Sequence, residues 1–218
     1  MIIKMINKKL WIPKACDNLK EKFPSVVICL FFMLTVAFVI NINFSENSEN
    51  KKKYPRHVPI TIFTDEEAKK RFQLNGTFRP LKYTETQFKS INNKIIIDPV
   101  NGLMWQKQGA MHPCSFKEAQ QYINDLNNQK FNNYNDWRLP TIDELLTLLL
   151  KKKSKQFLFI DPEFSDHQKL CWSSDIRAAK TPFGSNPNAA WGVDFSFGYV
   201  FWGKFDSQFH VRAVRGTR

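Results

Sequence analysis

The chain has little of what catalytic centres are built from. Its 218 residues hold only four cysteines and four histidines, and no two cysteines form a Cys-x-x-Cys pair or any other closely spaced couple. That excludes a copper–thiolate or dithiol redox centre. His57, His112, His167 and His210 are scattered, and His112 beside Cys114 supplies two metal ligands with no partners in sequence. Eight glycines are spread thinly, none in a loop that could cradle a phosphate. Ser173-Ser174 lacks the glycine-flanked elbow that activates a serine nucleophile. A glycosidase needs two carboxylates across a cleft, and the linear sequence displays no such pair. The expectation is a protein that binds without turnover and carries no cofactor.

What the chain does have is aromatic mass and positive charge. Twenty Phe and six Trp favour a packed domain with an aromatic core. The formal net charge is +12, which raises nucleic acid as a partner. Its distribution argues otherwise: residues 1–94 carry 17 Lys+Arg against 8 Asp+Glu, and residues 95–218 carry 15 against 12. The basic excess lies mainly outside the expected core, so no nucleic acid is expected as ligand.

Residues 1–25 form a basic tail. Residues 26–42 are apolar apart from Thr35 and Asn41 and contain no charge. The absence of a polar stripe and the length point to a membrane-spanning signal-anchor helix over residues 26–44. Lys4, Lys8, Lys9, Lys14, Lys20 and Lys22 precede it, which favours a cytoplasmic N-terminus. Thr35-Val36-Ala37 leaves the alternative of a cleaved signal peptide. In either case the C-terminal part lies outside the cytoplasm. Residues 45–93 are expected to be a tether with one short helix starting at Thr64, its acids first and its bases last, as the helix dipole prefers.

From residue 94 the pattern tightens. Residues 94–98 and 103–106 read as strands separated by the turn Asp98-Pro99-Val100-Asn101-Gly102. Ser115 with Glu118 is a capping box that opens a helix carrying Phe116, Ala119, Tyr122, Ile123 and Leu126 at helical spacing. Thr141 with Glu144 is a second, behind Pro140, so a helix starts there and turns Leu145, Leu146, Leu148 and Leu149 inward. Residues 170–174 read as a short strand before a polar loop holding Pro182, Gly184 and Pro187. From Ala190, Trp191, Val193, Phe195, Phe197, Tyr199 and Phe201 share one parity, which predicts a hairpin with one buried aromatic face. Residues 209–215 supply a closing strand. Two helices among short antiparallel strands make an α+β domain over residues 94–218.

The motifs Ile97-Asp98-Pro99-Val100-Asn101-Gly102-Leu103-Met104-Trp105-Gln106 and Tyr134-Asn135-Asp136-Trp137-Arg138-Leu139-Pro140-Thr141 are specific. Trp172-Ser173-Ser174-Asp175, Ala190-Trp191 with Phe195-Ser196-Phe197-Gly198, and Val211-Arg212-Ala213-Val214-Arg215-Gly216 follow in order. Together they closely resemble the Lcl C-terminal domain family, once classed as a domain of unknown function and named for the collagen-like adhesin of Legionella. The resemblance implies a C-type-lectin-like fold, distantly related to formylglycine-generating-enzyme-type domains. It also implies a bacterial cell-envelope setting, with the anchor in the inner membrane and the domain in the periplasm or outside the cell. The named member implies adhesion through sulfated glycans. This chain has no Gly-X-Y repeat, so trimerisation does not carry over. Cys171 stands where an aromatic or aliphatic residue is expected, and the nearly neutral core gives sulfated glycans little electrostatic support. The Glu-Pro-Asn and Trp-Asn-Asp signatures of calcium-dependent sugar lectins are absent.

Trp105, Asp136, Trp137, Arg138, Pro140, Trp172, Trp191, Arg212 and Arg215 are expected to frame the fold, with the arginines paired to acids such as Asp136 or Asp194. Trp202 shares a strand parity with Lys204 and could present an indole face beside a cation, with Arg177 as a second cationic candidate. These three are the expected ligand-binding residues; the competing reading covers Trp202 with a loop. Cys114 and Cys171 either pair as a disulfide or remain buried thiols. Asp161, Glu163 and Asp166 are either a weak calcium site or a solvated acidic loop. The functional expectation is a membrane-anchored, extracytoplasmic binding module for a glycan or polyanion. The alternative is a structural subunit of an envelope protein complex.

Overall fold

The computed structural model describes residues 55–182 and 184–217. The basic tail and the apolar run at 26–44 lie outside the described residues. Among the described residues, no helix is long and apolar enough to cross a membrane.

The elements in chain order are β1 (Thr61–Ile62), α1 (Asp65–Arg71), β2 (Lys89–Ser90), β3 (Ile95–Asp98), β4 (Leu103–Gln106), α2 (Phe116–Asn128), α3 (Ile142–Thr147), β5 (Leu170–Thr181), β6 (Gly184–Asp194), β7 (Tyr199–Lys204) and β8 (Val214–Gly216). They build an α+β unit from two four-stranded sheets, ordered β1-β5-β6-β7 and β2-β3-β4-β8. All pairings are antiparallel except β1 with β5. Three helices start at side-chain caps. Thr64 opens α1, and both expected capping boxes are complete at Ser115/Glu118 and Thr141/Glu144.

Two aromatic clusters fill the interior. One joins Phe72, Trp105, Phe164, Trp191 and Phe195 to the α3 leucines, of which Leu145, Leu148 and Leu149 are buried. The other gathers Phe116, Trp137 and Trp172 with α2 residues Ala119, Ile123 and Leu126. Trp105, Trp172 and Trp191 are completely buried and Trp137 nearly so.

Three expectations change. The tether expected over 45–93 is folded from residue 55 onward, and the compact unit runs Tyr54–Arg218. Its β1 pairs with β5, its β2 with β3, and Phe72 and Leu74 are buried in the first cluster. Contacts made by single apolar residues leave no period to read. The loop expected after residue 174 is instead the far half of a long β5–β6 hairpin, turning between Thr181 and Gly184. Residues 179–182 and 184–188 are exposed on both faces, so nothing in the sequence alternates. Pro187, which has no N–H to give, sits beside the register shift at Arg177/Ala178.

The third change is one of parity. Trp191 pairs across strands with Trp202, and Val193 with Val200. The four-residue turn between β6 and β7 therefore sets odd positions on β6 opposite even positions on β7, so one parity does not run through both strands. Val200 is buried, whereas Phe197, of the expected buried parity, is exposed. Directly opposed residues share a face, whatever their parity along the chain.

Candidate binding groove

Arg177, Ala189 and Lys204 lie opposite one another across β5, β6 and β7. One pleat along, Trp191 faces Trp202. Ala189 between them is small, and the Arg177 guanidinium reaches over the Trp202 ring at 4.1 Å from its centroid. The sequence-predicted pair is thus brought together as a cation–π stack. Trp202 stays 41% exposed, so its second face remains available. Lys204 is exposed at the end of the same strand and does not line the groove.

The opposite wall comes from the segment expected to be a tether with one short helix. Asp65, at the start of α1, lies 3.5 Å from Arg177 Nη2. Thr77 and Phe78 follow from a loop organised by Asn75, whose Oδ1 accepts from the Thr77 N–H, the Thr77 hydroxyl and the Arg79 N–H. Phe78 adopts φ 60°, an uncommon conformation for a bulky residue, of the kind that concentrates at ligand clamps. It is held there by the Val200 N–H donating to its carbonyl at 2.9 Å and by stacking on Trp191. Asp65, Thr77, Phe78, Tyr199, Val200, Phe201 and Trp202 together enclose about 340 Å³. The result is an open, aromatic-walled groove whose lining includes one carboxylate, Asp65, and two hydroxyl-bearing residues, Thr77 and Tyr199. Phe78 and Thr77 carried no signal in sequence, because what places them is a turn and not a period.

The frame residues hold the sheets behind this groove. Arg215 clasps Asp136 through Nε at 2.6 Å and Nη2 at 3.2 Å and lies over Tyr134. Arg138 pairs with the buried acid Glu144, with Nη1 at 2.7 Å. Asp194 accepts the turn N–H groups of Ser196 and Phe197. Arg212 has no acid partner among the described residues. It is fully buried, donates to the carbonyls of Gln106 and Lys107, and lies over the Phe164 ring. Burial lowers its pKa to about 10, with the neighbouring Cys171 and Tyr122 opposing that shift. Backbone carbonyls at the end of β4 therefore do the work expected of a carboxylate.

Cys114 and Cys171 are free thiols. Cys114 pairs with Phe209 and Cys171 with His210, so the backbone segment at Phe209–His210 bridges to both, and the two thiols are not bonded in this structure. Burial pushes the Cys171 thiol up to about 11, which makes it unreactive. The calcium alternative also fails on geometry. Asp161 Oδ1 accepts from the Glu163 N–H, Glu163 turns to Lys107, and Asp166 lies beside His167. Among the described residues, no three His, Cys, Asp or Glu side chains converge on a metal position.

A second ionic assembly was not foreseen. Arg56 donates through both terminal nitrogens to the buried Asp175, at 2.9 and 2.7 Å, and through Nε to Asp143 at 2.9 Å. Asp175 also accepts the N–H groups of Ile60 and Ile142. His57 Nδ1 lies 2.6 Å from Glu144 Oε1. This strap closes over the start of α3. Burial raises the Asp143 pKa despite the opposing charges of Arg56 and Arg71.

His210 gives a pH test of the frame. Burial lowers its pKa, reinforced by the charges of Arg212, His167 and His112 and opposed by a hydrogen bond to Leu170. The unfolded chain then binds the His210 proton first, at about pH 6.5. Stability is full above that value and falls as pH drops through it. Denaturant midpoints measured between mildly acidic and neutral pH should fall on the acid side, and less so in His210→Gln. An identical slope in the variant would remove His210 as the cause.

No curated protein matches the chain. Residues 94–215 match the Lcl C-terminal domain, a span from the start of β3 into β8 that contains the frame tryptophans and arginines and the Trp202 wall of the groove. By that match, over more than half its length, the chain belongs to the Lcl C-terminal domain family.

Proposed function

We propose that this chain is a non-catalytic binding module, anchored in the bacterial inner membrane by residues 26–44, and that its groove at Trp202 takes a glycan outside the cytoplasm. The observation that carries the reading is the free Trp202 face beside the Asp65 carboxylate and the Thr77 hydroxyl. Sugar rings offer an apolar face to an indole and hydroxyls to a carboxylate, which is the chemistry these walls provide. Family membership supports a binding role, and α2 and α3 set against antiparallel-rich sheets support the C-type-lectin-like fold that the resemblance implies. Arg177 is engaged by Trp202 and Asp65 and so is not a free cation for a sulfate. Neutral glycans fit the groove better than polyanions.

The test is a glycan array probed with the full chain in detergent. Binding to neutral glycans is expected, and Trp202→Ala should weaken it by roughly tenfold or more with an unchanged circular dichroism spectrum. A blank array, or binding indifferent to Trp202, would remove the groove as a glycan site.

One observation favours the second reading, a subunit of an envelope complex. Among the described residues, the end of the β5–β6 hairpin beyond Asn188 pairs only with itself: β1 reaches no further than Arg177, and on the other side the last contact is the Phe205 N–H donating to the Asn188 carbonyl. Among the described residues both edges of this arm are therefore open, as strand addition by a protein partner requires. Co-purification of a stoichiometric partner, lost when residues 179–188 are shortened, would favour that reading over the glycan one.

A further inference from the structure

The loop after α3 and the β6–β7 turn, which touch through Phe159, carry exposed cations and two exposed phenylalanines. Lys151, Lys152, Lys153 and Lys155 are all exposed. They sit on the loop after α3, which is closed by the Leu150 N–H donating to the Phe159 carbonyl and the Ser154 N–H to the Leu158 carbonyl. At its tip Phe157 is 79% exposed and held at φ 63°. A bulky apolar side chain pushed into water in a left-handed conformation is costly twice over.

Phe159 links this loop to the β6–β7 turn. Its N–H donates to the Phe195 carbonyl, and its ring lies against Gly198, where a Cβ would approach within 2.9 Å. Lys153 Nζ stands 5.7 Å from the ring centroid and the Arg79 guanidinium 5.0 Å. Arg79 also donates to the carbonyl of Phe197, which is 62% exposed. Among the described residues, no carboxylate lies within ion-pair distance of Arg79 or of these four lysines. The patch therefore combines five uncompensated cations with two exposed Phe side chains on backbone that fixes their direction.

We infer that this patch docks on the surface of an anionic lipid bilayer, with the cations at the headgroups and Phe157 and Phe197 below them. Uncompensated cations beside an anionic leaflet give attraction that falls with salt. A soluble polyanion would satisfy the cations but leave the phenylalanines in water, whereas a bilayer takes both. The inference is independent of the glycan groove.

Hydrogen–deuterium exchange tests it on the full chain incorporated into vesicles of phosphatidylcholine, alone or mixed with phosphatidylglycerol. Flotation of the chain with either vesicle reports on the apolar run, and exchange at residues 151–159 and 195–198 reports on the patch, so the two can fail separately. Exchange there should be roughly tenfold slower on the anionic vesicles. The protection should disappear in high salt and in Lys151→Glu/Lys152→Glu/Lys153→Glu. It should also weaken in Phe157→Asn/Phe197→Ser, where Asn tolerates the left-handed conformation and preserves the turn. Equal exchange on the two vesicles would overturn the inference. So would protection by a soluble sulfated polysaccharide with none by vesicles, or protection unaffected by loss of both phenylalanines.

Discussion

Replacing Arg56 by alanine is expected to destabilise the folded unit by roughly 3–5 kcal/mol, the cost of leaving a buried charge without its partner. Asp175 is completely buried. Its carboxylate takes two guanidinium N–H groups and two backbone N–H groups, and the guanidinium supplies the only opposing charge against it among the described residues. Burial works against the charge on Arg56, but the hydrogen bonds and charges of Asp175 and Asp143 outweigh it and raise its pKa. The arginine is therefore charged at any pH at which the protein folds. The same residue offers its carbonyl to the Thr141 hydroxyl at 2.6 Å, which ties the strap to the cap of α3. Arg56→Lys should recover part of the loss, because an ammonium restores the charge without the two-pronged geometry. Chemical denaturation of the full chain followed by circular dichroism measures both. A loss below about 1 kcal/mol, the range of a surface pair, would show that the strap is peripheral to the fold.

That strap marks the boundary of what the sequence discloses. Local chemistry was legible wherever one residue acts on its near neighbours. The capping boxes at Ser115 and Thr141 placed two helices, and the Asp98–Gly102 turn placed β3 against β4. Long-range choices were not legible. Arg56 is one cation among many in a polar stretch, and only the three-dimensional neighbourhood singles out Asp175, 119 positions later, as its partner. Phe197 lies in the four-residue turn between β6 and β7 and on neither strand, so an alternation read straight through the turn assigned it a buried face it does not have. The groove shows the same division. Trp202 and Arg177 were visible as an aromatic on a strand and a cation in an expected loop, and Asp65 as the first acid of an expected short helix, whereas nothing in the sequence brings Asp65 and Phe78 to the same wall. Arg212 illustrates the limit most clearly: a buried arginine implies a carboxylate, and here strand carbonyls take that place.

Trp137→Ala should be the other large loss, at roughly 3–5 kcal/mol for an aromatic side chain removed from a packed core. The indole packs edge-on against Phe131 and Tyr134, and its Nε1–H donates to the Phe131 carbonyl at 3.0 Å. Its backbone is clamped by one side chain: Asn127 accepts from the Trp137 N–H and donates to the Trp137 carbonyl, both at 2.8 Å. Asn127 lies in the last turn of α2, so Trp137 joins that helix to the segment leading into α3. Next along the chain, Arg138 exchanges backbone hydrogen bonds with Val214, which ties the segment to β8. Trp137→Phe should recover much of the packing and lose the indole hydrogen bond. Trp202→Ala provides the contrast, because a side chain that is 41% exposed leaves a smaller void. The unfolding midpoints of the three variants should therefore rank Trp137→Ala lowest and Trp202→Ala nearest the parent. If Trp137→Ala kept the parental midpoint and lost ligand instead, the Asp136–Arg138 segment would be part of a binding site and not of the frame.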